Sequence, residues 1–274
     1  MDLQRLRRRF ATYSWEPVTI GDSGAAVFRL SARGNGSAAN DLFVKARAPG
    51  SSERAIGELT GEADRLRWLE ECGIPVPDVV EVVVDSDAVA LVTRALPGIS
   101  AAEDWPADQR AAVVDAVADT LRALHALPVS ACPFDRSLAV TIPAAYGAVA
   151  RAEVDLADLD PERSGWTGQQ LLAELSATRP AAEDLVVSHG DYCLPNIVLD
   201  PDTVAVTGLI DVGRAGLADR HSDLALMTRS LSSPANPSYG SETAQRFLRR
   251  YAESGDVEVD TARLDFYRLL DEFF

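Results

Sequence analysis

Short apolar runs alternate with turn-forming residues in the first third of the chain. From Pro17 to Leu96, runs such as VTIGDSGAAVFRLSA and LFVKAR are separated by clusters of glycine and asparagine. β-Branched and aromatic runs bounded in this way are typical of β-hairpins. The pattern therefore predicts an antiparallel sheet, to which VPDVVEVVVDSDAVALVTRAL adds two strands that turn at Asp-Ser-Asp.

One helix interrupts this β-rich region. In the stretch GELTGEADRLRWLEECG, apolar residues recur at helical spacing: Leu59, Ala63, Leu66 and Leu69. Gly73 follows them in the position where helices commonly end on glycine.

After the sequence LPGIS the chain becomes rich in alanine, and its periodicity becomes helical. A long helix is predicted from about residue 106 to residue 127, with one face lined by Val113, Val117, Leu121 and Leu124. Short strands return only around LVVSHGD, NIVLD and VAVTGLIDVG. We therefore predict an α+β fold with two lobes. A small antiparallel β-rich lobe with one helix, residues 1–95, precedes a larger and mainly helical lobe, residues 96–274.

Length and composition narrow the class of protein. The chain has 274 residues, of which 47% are hydrophobic and 25% charged, which is the balance of an ordinary globular protein. Its apolar runs fall well short of the roughly 20 residues of a membrane-spanning helix. The basic N-terminus lacks the apolar stretch of an export signal. We expect a cytoplasmic protein that does not act at a membrane, and leave its oligomeric state open between monomer and weak dimer.

Charge and cysteine content exclude some partners and cofactors. The net charge of −16 opposes the phosphate contacts that dominate nucleic-acid binding, so no nucleic-acid partner is expected. It favours cations near acidic clefts, although acidity alone also serves solubility. The three cysteines, Cys72, Cys132 and Cys193, form no CxxC motif, and neither a disulfide framework nor a zinc site is indicated.

The candidate chemistry lies in SHGDYCLPNIVLD and in GLIDVGR, a short distance later. Two carboxylates that flank an asparagine on loops between short strands suit phosphoryl transfer from a metal nucleotide. Asp191 would take the proton of the acceptor hydroxyl, and Asn196 and Asp211 would offer the hard oxygen ligands that Mg²⁺ prefers. Taken alone, His-Gly-Asp could instead be a simple turn, and Asn196 a helix cap.

These loops resemble those of a known family. HGDYCLPN and LIDVGRAGLADRHSD are similar to the catalytic and metal loops of the aminoglycoside phosphotransferases, relatives of the eukaryotic protein kinases. The ending YRLLDEFF resembles the neomycin and kanamycin 3′-phosphotransferase branch, and the similarity runs from TIGDSGAAVFRL to the last residue. The resemblance implies a two-lobed protein-kinase-like fold, ATP with Mg²⁺, and a small cationic aminoglycoside as the acceptor.

A kinase-like site also needs a cation for the nucleotide phosphates, held by an acid on the helix of the small lobe. Lys45 lies in the strand LFVKA. Glu62 lies against the apolar stripe of the predicted helix. Burying a carboxylate there costs free energy unless the carboxylate is paired. We predict that these two residues pair, with Glu58 as a weaker rival.

The resemblance assigns the remaining nucleotide contacts. Ser23, in GDSGAAVFRL, and nearby backbone N–H groups would approach the β-phosphate, although that stretch alone could be a plain hairpin. Phe43 would stack on adenine or belong to the core. Thr93, Arg94 and Ala95 would supply backbone hydrogen bonds to the adenine edge.

Acceptor recognition is predicted from two acid-rich stretches. AEVDLADLDPERSGW could be a solvated helix face, but the family uses this region and the tail to bind the ammonium groups of the drug. The predicted contacts are Asp158, Asp160, Glu162, Asp271, Glu272 and Phe274. Between Arg229 and Glu242 no acid occurs, which suggests that one ammonium contact of the 3′-enzymes is missing.

Other polar residues near the motifs receive supporting roles. Arg214 and Asp223 are expected to organise the metal loop and the base of the catalytic loop. His189 would brace the catalytic turn, His125 would belong to the core, and Cys193 has no paired base that would make it a nucleophile.

The sequence thus predicts an ATP-dependent aminoglycoside 3′-phosphotransferase. Two alternatives stay open, a related kinase for another cationic or sugar-like metabolite and a catalytically dead nucleotide-binding protein. The second would be expected to lack Lys45, Asp191, Asn196 or Asp211, and all four are present.

Overall fold

A computed structural model describes residues 3–18, 25–32, 40–47, 53–84, 89–253, 255 and 257–274. The chain forms two compact units. The first is Met1–Ser100 with Ile197–Gly213, and the second is Ala101–Asn196 with Arg214–Phe274.

The strands in these ranges are β1 Tyr13–Val18, β2 Ala26–Ala32, β3 Leu42–Arg47, β4 Val79–Val84, β5 Val89–Arg94, β6 Ile99–Ser100, β7 Leu185–Ser188, β8 Ile197–Leu199, β9 Val206–Leu209 and β10 Gly216–Asp219. The α-helices are α1 Gln4–Arg9, α2 Glu53–Glu71, α3 Arg110–His125, α4 Leu138–Ala150, α5 Gly168–Ala177, α6 His221–Ser232, α7 Ser241–Tyr251 and α8 Thr261–Asp271.

The first unit contains the predicted antiparallel sheet, with strand order β1-β2-β3-β5-β4, and the predicted helix α2. Strand β3 alternates between two faces. Leu42, Val44 and Ala46 are buried, while Phe43 and Lys45 are half-buried on the opposite face. This alternation turns the lysine away from the main apolar cluster of the sheet.

Helix α1 was not predicted, because its six residues are too few to show a period. Isolated helices of this length are unstable in water, so packing must stabilise it. Leu3 and Leu6 provide that packing, since both are buried in the cluster formed by β2, β3 and β5.

A later segment of the chain, Ile197–Gly213, belongs to the first unit. Its strands β8 and β9 pair with β6 in a small antiparallel sheet. Gly98 permits the close approach, because its φ is +120° and a Cβ would lie 2.2 Å from the carbonyl oxygen of Leu199. Asp211, just after β9, is therefore part of the unit that contains Lys45.

The second unit is mainly helical, as predicted. Helix α3 is shorter than expected at each end, but the four residues of its predicted face are all buried: Val113, Val117, Leu121 and Leu124. Strands β7 and β10 form an antiparallel pair in which Ser188 lies opposite Gly216. The last residue of β7 thus leads directly into His-Gly-Asp.

No helix in the described ranges combines the length and the apolar character needed to cross a membrane.

Candidate active site

Lys45 is held between two carboxylates of the first unit. Its Nζ lies 2.9 Å from Oε2 of Glu62 and 2.8 Å from Oδ1 of Asp211. Burial acts to lower the pKa of Lys45, but the charges of Glu62 and Asp211 outweigh it, and on balance the pKa is raised. Lys45 is therefore a fixed cation, with both of its carboxylate partners defined by the fold.

The position of each acid on helix α2 explains why Lys45 pairs with Glu62 and not with Glu58. Glu62 is only 6% exposed, next to the buried Ala63 and one turn from Leu59 and Leu66. Glu58, the predicted rival, instead binds Arg47 at 2.7 Å. The predicted ion pair of Lys45 is thus present, with Glu62 as the acid.

Asp211 has an unusual backbone. Its φ of +56° is one of three positive φ values at non-glycine residues in the part of the chain that the structure covers. Such conformations cost on the order of 1–3 kcal/mol and cluster at functional sites. Here the strained backbone carries the carboxylate that contacts Lys45.

The other predicted nucleotide contacts lie only partly within the described residues. Ser23 lies outside the described residues. Phe43 lies on the Lys45 face of β3, opposite Thr93 in the β3–β5 register. The N–H of Ala95 donates to Asp41 O at 2.9 Å, as does the N–H of Arg94 to Asp78 O. These two N–H groups are thus engaged within the protein, and the backbone contacts of Thr93, Arg94 and Ala95 to an adenine edge stay a prediction.

The catalytic turn in the second unit depends on Gly190. Its φ is +80°, and a Cβ would lie 2.3 Å from the carbonyl oxygen of Arg214, so no side chain fits there. The Gly190 N–H donates to Ser188 Oγ at 3.0 Å, and the Asp191 N–H to His189 Nδ1 at 3.2 Å. The turn is thus tightly held where Asp191 begins its loop.

The Asp191 carboxylate is positioned by its own loop. Asn196 Nδ2 donates to Asp191 Oδ2 at 2.8 Å and to Asp191 O at 3.0 Å. Because the amide nitrogen is turned toward Asp191, the planar amide directs Oδ1 of Asn196 to the other side. Asn196 thereby orients the proposed base and keeps an oxygen suited to Mg²⁺.

Cys193 also contacts this carboxylate, with Sγ donating to Asp191 Oδ1 at 3.7 Å. Burial and the nearby charge of Asp191 raise the pKa of the Cys193 thiol. A protonated thiol is a poor nucleophile, in agreement with the sequence interpretation.

Asp223 stabilises the catalytic turn by accepting hydrogen bonds from its backbone. Its side chain is fully buried, and it accepts from the N–H groups of His189 at 2.8 Å and Gly190 at 2.9 Å. His125 Nε2 lies 2.9 Å from the same carboxylate. Although burial acts to raise the pKa of Asp223, the hydrogen bond and charge of His125 and the contacts of His189 lower it on balance. Asp223 therefore carries its charge inside the protein.

This buried network reaches further than the sequence indicated. His125 Nδ1 lies 2.7 Å from the hydroxyl of Tyr251, and Arg220 Nη1 donates to the same hydroxyl at 3.0 Å. If the hydroxyl accepts from Arg220 and donates to His125, Nε2 of the imidazole carries the proton that Asp223 accepts. No local sequence signal marks Tyr251 or Arg220, because each acts through partners far along the chain.

The predicted acceptor-binding acids separate into two groups. Asp158 and Glu162 are exposed and lie outside any ion-pair network in the described ranges. Asp160 and the tail acids belong to a network of alternating charge, whose members are Asp160, Arg163, Arg214, Arg229, Asp271 and Glu272. The stretch before Asp160 forms turns rather than a helix, so the alternative of a solvated helix face is wrong.

Arginines hold the tail in place. Arg214 Nη1 lies 3.0 Å from Asp271 Oδ1, and its Nη2 donates to the main-chain oxygen of Phe274. The guanidinium carbons of Arg136 and Arg214 lie 5.6 and 5.9 Å from the centroid of the Phe274 ring. Glu272 accepts from the N–H of Asp160 at 3.2 Å. The tail carboxylates are therefore preorganised, but an ammonium group would share them with arginines.

Comparison with known proteins identifies the family. Residues 14–267 match the phosphotransferase enzyme family, a range that covers nearly the whole chain.

This chain belongs to the phosphotransferase enzyme family.

Named relatives are similar over nearly all or all of this phosphotransferase. The aminoglycoside 3′-phosphotransferase of Streptomyces fradiae is 53% identical over 274 residues, which is 100% of each chain. The streptomycin 3″-kinase of Streptomyces griseus is 41% identical over 263 residues, 94% of this chain and 91% of the relative. The resemblance stated from the sequence motifs is confirmed.

Solved structures agree with this assignment. A crystal structure of an aminoglycoside-3′-phosphotransferase of type VIII superposes with a TM-score of 0.90 at 54% identity, covering 99% of this phosphotransferase and 97% of that chain. An aminoglycoside phosphotransferase of Streptomyces rimosus, in complex with ADP and streptomycin, superposes with a TM-score of 0.82 at 34% identity, covering 100% and 98%. The predicted protein-kinase-like α+β fold is confirmed, while the roles of individual residues stay predictions.

Proposed function

We propose that this phosphotransferase transfers the γ-phosphoryl group of ATP to the 3′-hydroxyl of kanamycin- or neomycin-type aminoglycosides. The observation that carries the proposal is the 53% identity over all 274 residues to a relative named aminoglycoside 3′-phosphotransferase. As an enzyme that consumes ATP, it is assigned to the cytoplasm. Phosphorylation adds negative charge and removes a hydroxyl donor from the drug, so resistance follows from weaker binding to the drug's ribosomal target.

The side chains of the candidate active site fit this reaction. Phosphoryl transfer needs little covalent chemistry from the protein, and depends on positioning and on charge. Asp191, oriented by Asn196, accepts the proton of the acceptor hydroxyl as that oxygen attacks the γ-phosphorus, and the bond from this phosphorus to the bridging oxygen breaks so that ADP leaves. Lys45, fixed by Glu62, offers its cation to the α- and β-phosphates.

The donor set suits Mg²⁺. Asn196 contributes a neutral amide oxygen and Asp211 a carboxylate, both hard ligands. Among the described residues no group of three or more His, Cys, Asp or Glu side chains could hold a metal ion. Asn196 and Asp211 would hold the ion, which when bound would supply positive charge against the negative charge that develops during transfer.

The acceptor would bind through charge-assisted hydrogen bonds to carboxylates of the second unit. Asp160, Asp271, Glu272 and the Phe274 carboxylate are proposed as the main contacts, because arginines and one backbone N–H hold the first three in place. Asp158 and Glu162, which are exposed, are proposed as outer contacts for the same cationic ligand. Burial and the charge of Asp160 raise the pKa of Glu272, so an incoming ammonium group would stabilise its ionised form.

A panel of acceptors tests the proposed function. Purified enzyme with ATP and Mg²⁺ should phosphorylate kanamycin and neomycin, and should show no turnover with a matched 3′-deoxy aminoglycoside. Streptomycin belongs in the panel, because a streptomycin 3″-kinase is 41% identical to this chain. Turnover of the 3′-deoxy compound at the rate of its parent would contradict the 3′ assignment. Turnover confined to streptomycin or to another metabolite would favour the alternative kinase.

The tail gives a second test. Deleting Glu272 through Phe274 is expected to raise the acceptor KM far more than the ATP KM, because the deletion removes carboxylates proposed to bind the drug. Phe273 is buried, however, so part of any effect would be structural. Phe274→Ala is the matched control, since it keeps a terminal carboxylate at the same position and loses only the ring between two arginines. Equal increases in both KM values on deletion would argue against drug contact by the tail.

A further inference from the structure

We propose that Ser230 is a positioning residue of the catalytic loop, holding residues 191–196 from helix α6. The inference rests on the proposed function of that loop. Ser230 Oγ accepts a hydrogen bond from the N–H of Leu194 at 3.1 Å. Leu194 is fully buried and opens the 3-10 turn Leu194–Asn196.

The hydrogen bond from Leu194 to Ser230 lies near the middle of the catalytic loop, residues 191–196. On one side Asp191 begins the loop, and on the other Asn196 ends it and donates back to Asp191 at 2.8 Å. The Asn196 N–H donates to Cys193 O at 3.1 Å, which closes the turn. A shift of Leu194 relative to α6 would therefore move the residue that orients the proposed base.

Ser230 is itself held by the chain that follows α6. Asn236 Nδ2 donates to Ser230 O at 2.8 Å and lies 3.5 Å from Ser230 Oγ. Further along, the Tyr239 hydroxyl donates to Ala101 O at 2.9 Å. The segment after α6 is thus anchored at both ends, and one of its anchors is the serine that contacts the catalytic loop.

A neutral hydroxyl suits this role. It accepts the backbone N–H of Leu194 without adding a charge to the catalytic loop. Catalytic groups must be held within about 0.5 Å of their productive geometry, and supporting hydrogen bonds supply much of that precision. In the described part of the chain, the hydrogen bonds of Ser230 go to Leu194, Ser233 and Asn236 and not to a group proposed to bind substrate, so its expected effect is on turnover rather than on binding.

Kinetics of Ser230→Ala and Ser230→Thr test the inference, with Ser232→Ala as the control. Ser232 is an exposed serine of the same helix. Ser230→Ala is expected to lower kcat about tenfold, the scale of one hydrogen bond, with both KM values within about twofold of wild type. Ser230→Thr keeps the hydroxyl and should restore most of the loss, and Ser232→Ala should match wild type.

Amide hydrogen exchange provides a readout that does not depend on activity. The Leu194 amide should exchange faster in Ser230→Ala than in wild type or Ser232→Ala. An unchanged kcat in Ser230→Ala, or a Leu194 amide that exchanges as in wild type, would overturn the inference. The kinetics use whichever acceptor of the panel the wild-type enzyme phosphorylates, so failure of the 3′ assignment is distinguished from failure of the role of Ser230.

Discussion

Replacing Asp191 by alanine is expected to lower kcat by a factor of about 10² to 10⁴, the usual weight of a positioned general base. Asn196 Nδ2 donates to Asp191 Oδ2 at 2.8 Å. The substitution therefore removes both the proton acceptor and the hydrogen-bond partner of the Asn196 amide. Asp191→Asn separates these two effects, because it keeps the size of the side chain and an oxygen for Asn196 but cannot take a proton. Both variants should lose turnover while the ATP KM changes little.

The control for Asp191 is Asp202→Ala, which removes an exposed acid shortly after the catalytic loop. Its kcat should equal that of wild type. Steady-state kinetics at saturating ATP and acceptor, together with the thermal midpoint of each variant, separate a chemical loss from a folding defect. Full turnover by correctly folded Asp191→Ala would remove the assignment of this residue as the base.

Replacing Asp223 by alanine is expected to lower the free energy of unfolding by about 3–5 kcal/mol, because several buried hydrogen-bond donors lose their acceptor and each costs about 1–3 kcal/mol when left unpaired. The carboxylate is 0% exposed and receives donors from His125 and from the N–H groups of His189 and Gly190. Alanine leaves these buried groups without their acceptor. Because two of them belong to the catalytic turn, kcat should fall as well.

Urea unfolding at neutral pH measures the effect of Asp223→Ala, and Asp108→Ala is the control at an exposed acid. Asp108→Ala should change the free energy of unfolding by less than about 0.5 kcal/mol. The folded-state pKa of Asp223 is below the ordinary value of 3.8, so its contribution is present above that value and is lost as pH falls through the folded pKa. The difference between wild type and Asp223→Ala should therefore narrow in acid. A loss of less than about 1 kcal/mol at neutral pH would contradict the role of Asp223 as a buried acceptor.

Several parts of the fold follow from local sequence. The alternation in LFVKAR determines that Lys45 faces away from the buried side of β3, and the stripe of α2 makes Glu62 an inward carboxylate that needs a partner. The buried face of α3 was likewise predictable from its period. In each case one segment meets one apolar surface, and the spacing of the apolar residues decides which side chains are buried.

Other parts could not be predicted, because they depend on residues that are distant in the sequence. Nothing near Leu194 indicates that its N–H meets Ser230, and nothing near Asp223 indicates His125 and Tyr251. In the sequence, Asp158, Asp160 and Glu162 are equally good candidates for binding the acceptor. Only packing distinguishes Asp160, which joins the tail network, from its exposed neighbours.

The fold class, the family and the residue types of the chemistry can be predicted from the amino-acid order, because periodicity and short motifs are local properties. Three features come only from the folded chain: Asp211 shares a unit with Lys45, arginines hold the tail acids, and particular buried donors support the catalytic turn. The physical reason is that buried charges and hydrogen-bond donors need partners, and the chain supplies those partners from segments that only folding brings together.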